Sequence, residues 1–346
     1  VDPGDDLKRT QLRQPGITWV RAARDTGAGE ATSGAHTTNA DGFAALNDHT
    51  RLATPSIPTE EGFQDVSEDT EMRSLATYVA CAFAAVASGC GLGWEQEVYR
   101  REPAAMVAQA VAQDAVTIGW VLPLTLVCTW ATHRGSKAAR MVRLGCLAYL
   151  TYSYVLACVL ISRNELFLVY VAAYSTAALA LWGELQRANA SRCKKFFTTK
   201  GRWSASKSLQ IAVAAYGLLT SMGAGTAWLM EEIAMLKGLT GSLLPQQSTT
   251  ALPVQAFDLG FIIPLHVFGA VQLLRGKPVG FFIASVFLVL SSTLVVAIAS
   301  MAFLMYKRSI VPHDDKAHIV LPCVASIGVL LTICWFHGAK EPKKKL

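Results

Sequence analysis

Two aspartates stand where apolar segments begin. Asp114 follows Gln109 and Gln113, and Asp258 follows Gln255. A carboxylate at membrane depth is costly and is usually kept for ion or proton handling. Gln109, Gln113, Asp114, Asp258 and Arg163 therefore make a candidate polar cluster, with Arg163 as counter-ion to the two acids. Its chemistry is that of an ion or small-ligand vestibule. A plainer reading stands beside it: acids are favoured at helix N-termini, where they cap and match the macrodipole.

His266 is the histidine placed well inside an apolar segment, two residues after Pro264 and three before Gly269. An imidazole there can ligate a pigment, haem or metal, or relay a proton. It can equally be a core histidine bonded to a carbonyl freed by Pro264. Glu184, at the basic end of another segment, is expected to pair with a nearby Lys or Arg.

Eight cysteines include no CxxC pair, so zinc and iron–sulfur sites have little support. Their default role is that of small buried hydrophobes. No lysine lies within an apolar segment, which argues against a retinal Schiff base. Phosphate-loop, HExxH and GxSxG motifs are absent, and no paired helix breaks of an inverted repeat are evident. No catalytic residue and no metal ligand is assigned.

The elements that must hold these residues follow from composition. Of 346 residues, 52% are hydrophobic and only 16% charged, and the mean hydropathy is +0.34. Soluble domains carry roughly 25% charged residues. A net charge of +6 is too mild to argue for nucleic acid. A membrane helix needs about 20 mostly apolar residues, and eight such spans are expected, over 74–93, 112–132, 144–162, 166–185, 208–230, 255–274, 279–306 and 318–338. The fold class is all-α, a polytopic transmembrane helix bundle with a long irregular N-terminal tail.

Loop charge supports that count. The second, fourth and sixth connections carry Lys and Arg without acids, and the C-terminal tail (339–346) is lysine-rich. The odd-numbered connections are mixed in sign. Cytoplasmic-type loops concentrate cations, so both termini are expected on the positive face, and Asp114 and Asp258 begin their spans at the other.

Residues 1–73 hold seven Lys/Arg against thirteen Asp/Glu and are poor in large aliphatic residues. Alone they cannot offset their ordering entropy, so an extended tail laid over partner subunits is expected. The first residue, Val1, fits either a processed end, such as one left by an organelle transit peptide, or simply the first residue seen.

Three segments carry a resemblance. They are Gln109-Ala110-Val111-Ala112-Gln113-Asp114-Ala115-Val116-Thr117, then Asn164-Glu165-Leu166-Phe167-Leu168-Val169-Tyr170, and Phe257-Asp258-Leu259-Gly260-Phe261-Ile262-Ile263-Pro264-Leu265 with Gly269 and the run from Leu273 to Gly280. Together they resemble a family of bacterial multi-pass membrane proteins of unknown function, over roughly residues 94–305. The family more often has Pro after the Asn corresponding to Asn164. The resemblance implies that Gln113, Asp114, Asp258, Gly260, Pro264 and Gly280 belong to a shared scaffold, and it implies no reaction.

Two functions are in play. The first is a non-catalytic accessory subunit of a respiratory or photosynthetic membrane complex, in an organelle inner membrane or thylakoid. It would contact the bilayer and other subunits, the latter through residues 1–73, and hold lipid or pigment. The second is an ion- or solute-coupled transporter using Asp114, Asp258 and His266. A membrane enzyme acting on lipid ranks third.

Overall fold

The computed structural model describes residues 60–188, 194, 205–237, 252–312 and 316–337, with 60–73 as helical backbone. Of the tail expected over 1–73, residues 1–59 lie outside the described residues and 60–73 are helical, and the separate 339–346 end also lies outside the described residues. Helix α1 covers Glu60–Gly93, so helix starts well upstream of Ser74. Then come α2 (Glu95–Val98), α3 (Ala104–Val116), α4 (Leu122–His133), α5 (Lys137–Leu160), α6 (Phe167–Gln186), α7 (Lys207–Leu236), α8 (Leu252–Phe257), α9 (Ile263–Leu274), α10 (Pro278–Lys307) and α11 (Ala317–His337).

A π-helical turn, Thr117–Val121, joins α3 to α4, and another, Asp258–Ile262, joins α8 to α9. Eight stretches are long and apolar enough to span a membrane: Ser74–Gly93, Ala104–His133, Lys137–Leu160, Phe167–Gln186, Lys207–Ala234, Leu252–Leu274, Pro278–Lys307 and Ala317–His337. The chain is an all-α, multi-pass membrane protein. Bare side chains such as Leu168, Leu179 and Leu219 on its outside fit contact with lipid.

Several span starts differ from expectation. The second begins at Ala104 rather than Ala112, because Pro103 in extended conformation precedes an unbroken Ala-rich run. Asp114 therefore lies three turns inside the helix instead of at its mouth, and Asp258 lies in the second turn of its span. The third span begins at Lys137, capped by Ser136, whose hydroxyl accepts from the Ala139 amide. Arg140 and Arg143 are thus helical residues of a span.

A repeat of 141 positions organises the bundle. Gly119-Trp120-Val121-Leu122-Pro123-Leu124 returns as Gly260-Phe261-Ile262-Ile263-Pro264-Leu265. The π turns (from Thr117 and Asp258), the helices after them (from Leu122 and Ile263) and the next helices (from Lys137 and Pro278) share that shift. So do the turn glycines Gly135 and Gly276, at φ 87 and φ 65, each preceded by Arg. A proline ring inside a helix clashes with the carbonyl four residues back. In both copies that residue is glycine, and widening to a π turn relieves the clash.

The paired breaks are thus present, in a direct rather than an inverted repeat. Spans one to four and spans five to eight form two halves. Their seam is the third span against the seventh, the two most enclosed, with 56% and 67% of their apolar windows buried. A Cβ on Gly145 would fall 2.9 Å from the carbonyl oxygen of Val286, its own counterpart, and 2.4 Å from Cβ of Val289. Contact between equivalent residues is what a two-fold relation produces.

The sign-mixed connections neutralise one another at one end of the bundle. Arg308 grips both carboxylate oxygens of Glu95 at 2.6 and 2.9 Å, and Arg100 meets Glu165 at 3.0 Å. Glu102 accepts from the Ser162 amide at 2.6 Å.

Candidate functional site

The joint between the first two spans holds Asp114. Ser88 and Gly91, one turn apart on the first span, face it. A Cβ on Gly91 would sit 2.0 Å from Asp114 Oδ2, so only glycine leaves the carboxylate its place. Tyr99 reaches over from the first connection and donates its hydroxyl to Asp114 Oδ2 at 2.5 Å. Both residues are buried. Burial, then the Asp114 charge, push the Tyr99 phenol above its usual range, which keeps it a donor. Tyr154 bonds Ser88 at 2.9 Å and donates to the Ala84 carbonyl at 2.9 Å.

The joint between the fifth and sixth spans is a ladder of two rungs. Trp228 and Glu231 are three apart on one helix, and Gln255 and Asp258 are three apart on the other, so each pair shares a face. Trp228 Nε1 donates to Asp258 Oδ2 at 3.0 Å, and Gln255 Nε2 donates to Glu231 Oε2 at 3.0 Å. Tyr152, from the third span, donates to Asp258 Oδ1 at 2.7 Å and so ties the halves together. Glu231 and Gln255 are buried, and Gln255 Oε1 meets no donor among the described residues.

The repeat relates these joints. Asp114 corresponds to Gln255 and Thr117 to Asp258, while Gly91, which faces Asp114, corresponds to Glu232, the neighbour of the Glu231 that bonds Gln255. Among the described residues no Lys, Arg or His forms an ion pair with Asp114, Asp258 or Glu231.

The expected single cluster around Arg163 is resolved differently. The Arg163 guanidinium lies 5.9 Å from the Phe167 ring centre, and its carbonyl accepts from Arg101 at 3.0 Å. Tyrosine, tryptophan and glutamine donors, rather than this cation, meet the acids. Gln109 points to Met305 Sδ at 3.6 Å, and the Gln113 carbonyl accepts from Thr117 Oγ1 at 2.9 Å.

His266 lies in the core of the second half, its Nδ1 3.1 Å from Ser221 Oγ and its ring 5.4 Å from that of Phe287. A Cβ on Gly217 would meet its Nε2 at 2.7 Å. This geometry gives the imidazole a hydroxyl partner. Among the described residues no group of three His, Cys, Asp or Glu could hold a metal ion.

At the opposite end of the bundle Glu184 gathers two cations. Arg140 Nε reaches its Oε2 at 2.7 Å, and Arg143 bonds its Oε1. Arg143 Nε finds no partner among the described residues. A further feature is an open apolar groove of about 900 Å³ between the second, seventh and eighth spans, lined by Ala112, Trp120, Ala299, Phe303, Pro322 and Ala325 among others. Sequence reasoning missed Tyr99, Tyr152, Trp228 and Glu231. The spacing of Trp228 and Glu231 against Gln255 and Asp258 was the available signal.

Comparison with protein-family models, with curated proteins and with solved structures gave no match.

Proposed function

We propose that the protein is a proton-coupled membrane carrier of a small solute, with Asp114 and Asp258 as its titrating groups. One observation carries this reading. The second and sixth spans break at the same register, and each break has a carboxylate beside it, held by phenol or indole donors and without a cation among the described residues. Interrupted spans at matching positions of two halves are the usual address of a transport site. An intramembrane acid held by neutral donors can take and release a proton without breaking an ion pair.

His266 supports the core of the second half in this reading rather than the proton path. The loop charges support an orientation with the second, fourth and sixth connections on the cytosol-, matrix- or stroma-like face. The accessory-subunit reading draws on residues 1–73, of which 1–59 lie outside the described residues.

The test is reconstitution of the full chain in liposomes enclosing a pH dye. An imposed pH gradient should collapse faster than in empty vesicles, and Asp114→Asn or Asp258→Asn should each slow this by about tenfold or more. No flux, together with co-migration of the solubilised native protein with a large assembly, would favour the accessory reading instead.

A further inference from the structure

We propose that the joint between the fifth and sixth spans binds an organic ammonium, a positive nitrogen bearing N–H donors, between the rungs Trp228–Asp258 and Glu231–Gln255. This rests on the carrier reading and names its substrate class. The joint is rich in acceptors and poor in donors. Two carboxylates and one amide oxygen lie on its two rungs, and the donors among the described residues are Tyr152, Trp228 and the Gln255 amide.

Each of those donors is already used, yet the joint keeps two carboxylates and a buried oxygen with no partner among the described residues. Gln255 is 5% exposed, its Nε2 is bonded to Glu231, and its Oε1 has no donor among the described residues. Buried polar atoms in folded proteins are nearly always paired, so this oxygen marks a place for a donor that none of the described residues supplies. A ligand that brings positive charge and several N–H groups satisfies both deficits at once.

Asp258 is half-buried, so the ladder has an open side, near the end of the bundle where the first and seventh connections meet. The corresponding joint in the first half lacks the deficit. Asp114 is a single acid there, facing a glycine and bonded by Tyr99. The arginines at the other end of the bundle are committed to Glu184.

The experiment is calorimetric titration of the full chain in lipid nanodiscs with butylammonium, tetramethylammonium and sodium as chlorides. Butylammonium should bind saturably. Asp258→Asn and Glu231→Gln should each weaken it about tenfold, the effect of losing one charge-assisted hydrogen bond. Trp228→Phe, which keeps an aromatic ring, should weaken it less. Tetramethylammonium has no N–H and should bind worse than butylammonium. Glu95→Gln, an acid outside the joint, should change nothing.

Melting curves of each variant separate lost binding from lost folding, and Trp228→Phe carries the test if the charge variants fail to fold. The proposal is overturned if butylammonium does not saturate, if it binds wild type and Glu231→Gln alike, or if sodium or tetramethylammonium binds as tightly. An Asp258-dependent proton flux without butylammonium binding would leave the carrier reading standing and remove this one alone.

Discussion

Where the third span meets the fourth, Arg140 and Arg143 close on Glu184. Where the seventh meets the eighth, Phe281, the counterpart of Arg140, stacks on Trp335 at 6.3 Å, and Ser285 Oγ accepts from Trp335 Nε1 at 2.9 Å. The joint is the same and its chemistry has been exchanged, ionic in one half and aromatic in the other. The acid-bearing joints differ too, with a single carboxylate on the second span in one half and one on each of the fifth and sixth spans in the other.

What repeats is the set of backbone devices: a proline, the glycine four residues before it, a π turn and an Arg-Gly corner. These fix helix paths by steric rules that tolerate few substitutes. Side chains between helices need only fill and satisfy each joint, so they have diverged. The halves also pack differently. The first span lies along the fourth, whereas the fifth barely meets the eighth, and the second lies along the seventh while the sixth touches the third only near its beginning.

The strongest way to break the comparison is at the ionic joint. Glu184→Ala leaves Arg143 buried without its partner, at a cost of about 3–5 kcal/mol. Size-exclusion chromatography should show loss of monodisperse protein. Trp335→Phe, at the matching aromatic joint, should cost only about 1 kcal/mol for the bond to Ser285, read as a small drop in melting temperature.

Next comes the corner between the sixth and seventh spans. A Cβ on Gly280 would fall 2.1 Å from the Leu273 amide nitrogen, so Gly280→Ala must move backbone and should cost about 2–3 kcal/mol. Its counterpart is already alanine, Ala139, and Ala139→Gly should cost only about 0.5–1 kcal/mol. Equal losses would show that the two corners are not distinguished by backbone approach.

Gly91→Ala pushes a methyl into the Asp114 carboxylate and should break its bond with Tyr99, costing about 1–3 kcal/mol. The Tyr99 phenol, absorbing in the ultraviolet, should then ionise at lower pH than in wild type, since burial and Asp114 hold it high.

One effect has the opposite sign. Tyr149 is fully buried, its hydroxyl lies beside Ser153 and Thr117 without a well-formed hydrogen bond to a described residue, and its counterpart is Leu290. Tyr149→Phe should raise stability by about 1 kcal/mol, a gain of about 2 °C in melting temperature.

Much of this was legible in the sequence. The eight spans follow from apolar length alone, and the connections of mixed sign are those in which Glu95, Glu102 and Glu165 find partners. The starts of the second and third spans were misread where a charged residue lies inside the helix. Arg143 and Asp114 look like edges to a hydropathy window, because the window cannot see the Glu184 or Tyr99 that satisfies them. The repeat escaped notice for a related reason. Few residues besides Gly119, Pro123, Leu124, Arg134 and Gly135 return unchanged, and only the π turns make their register visible. The ladder of Trp228, Glu231, Gln255 and Asp258 required two helices in contact, which no single stretch of sequence displays.

The polar ties named above that cross from one half to the other are Glu95 with Arg308, Gln109 with Met305 and Tyr152 with Asp258. All three cluster toward the mixed-charge rim. At the cation-rich rim the named ties, Arg140 with Glu184 and Lys207 with the Leu274 carbonyl, stay inside a half. A molecule stitched in this way is hinged like a book bound along one edge. If its covers part, they part first at the cation-rich rim, on whose side the Gly145 contact lies, and turn about the ties at the mixed-charge rim.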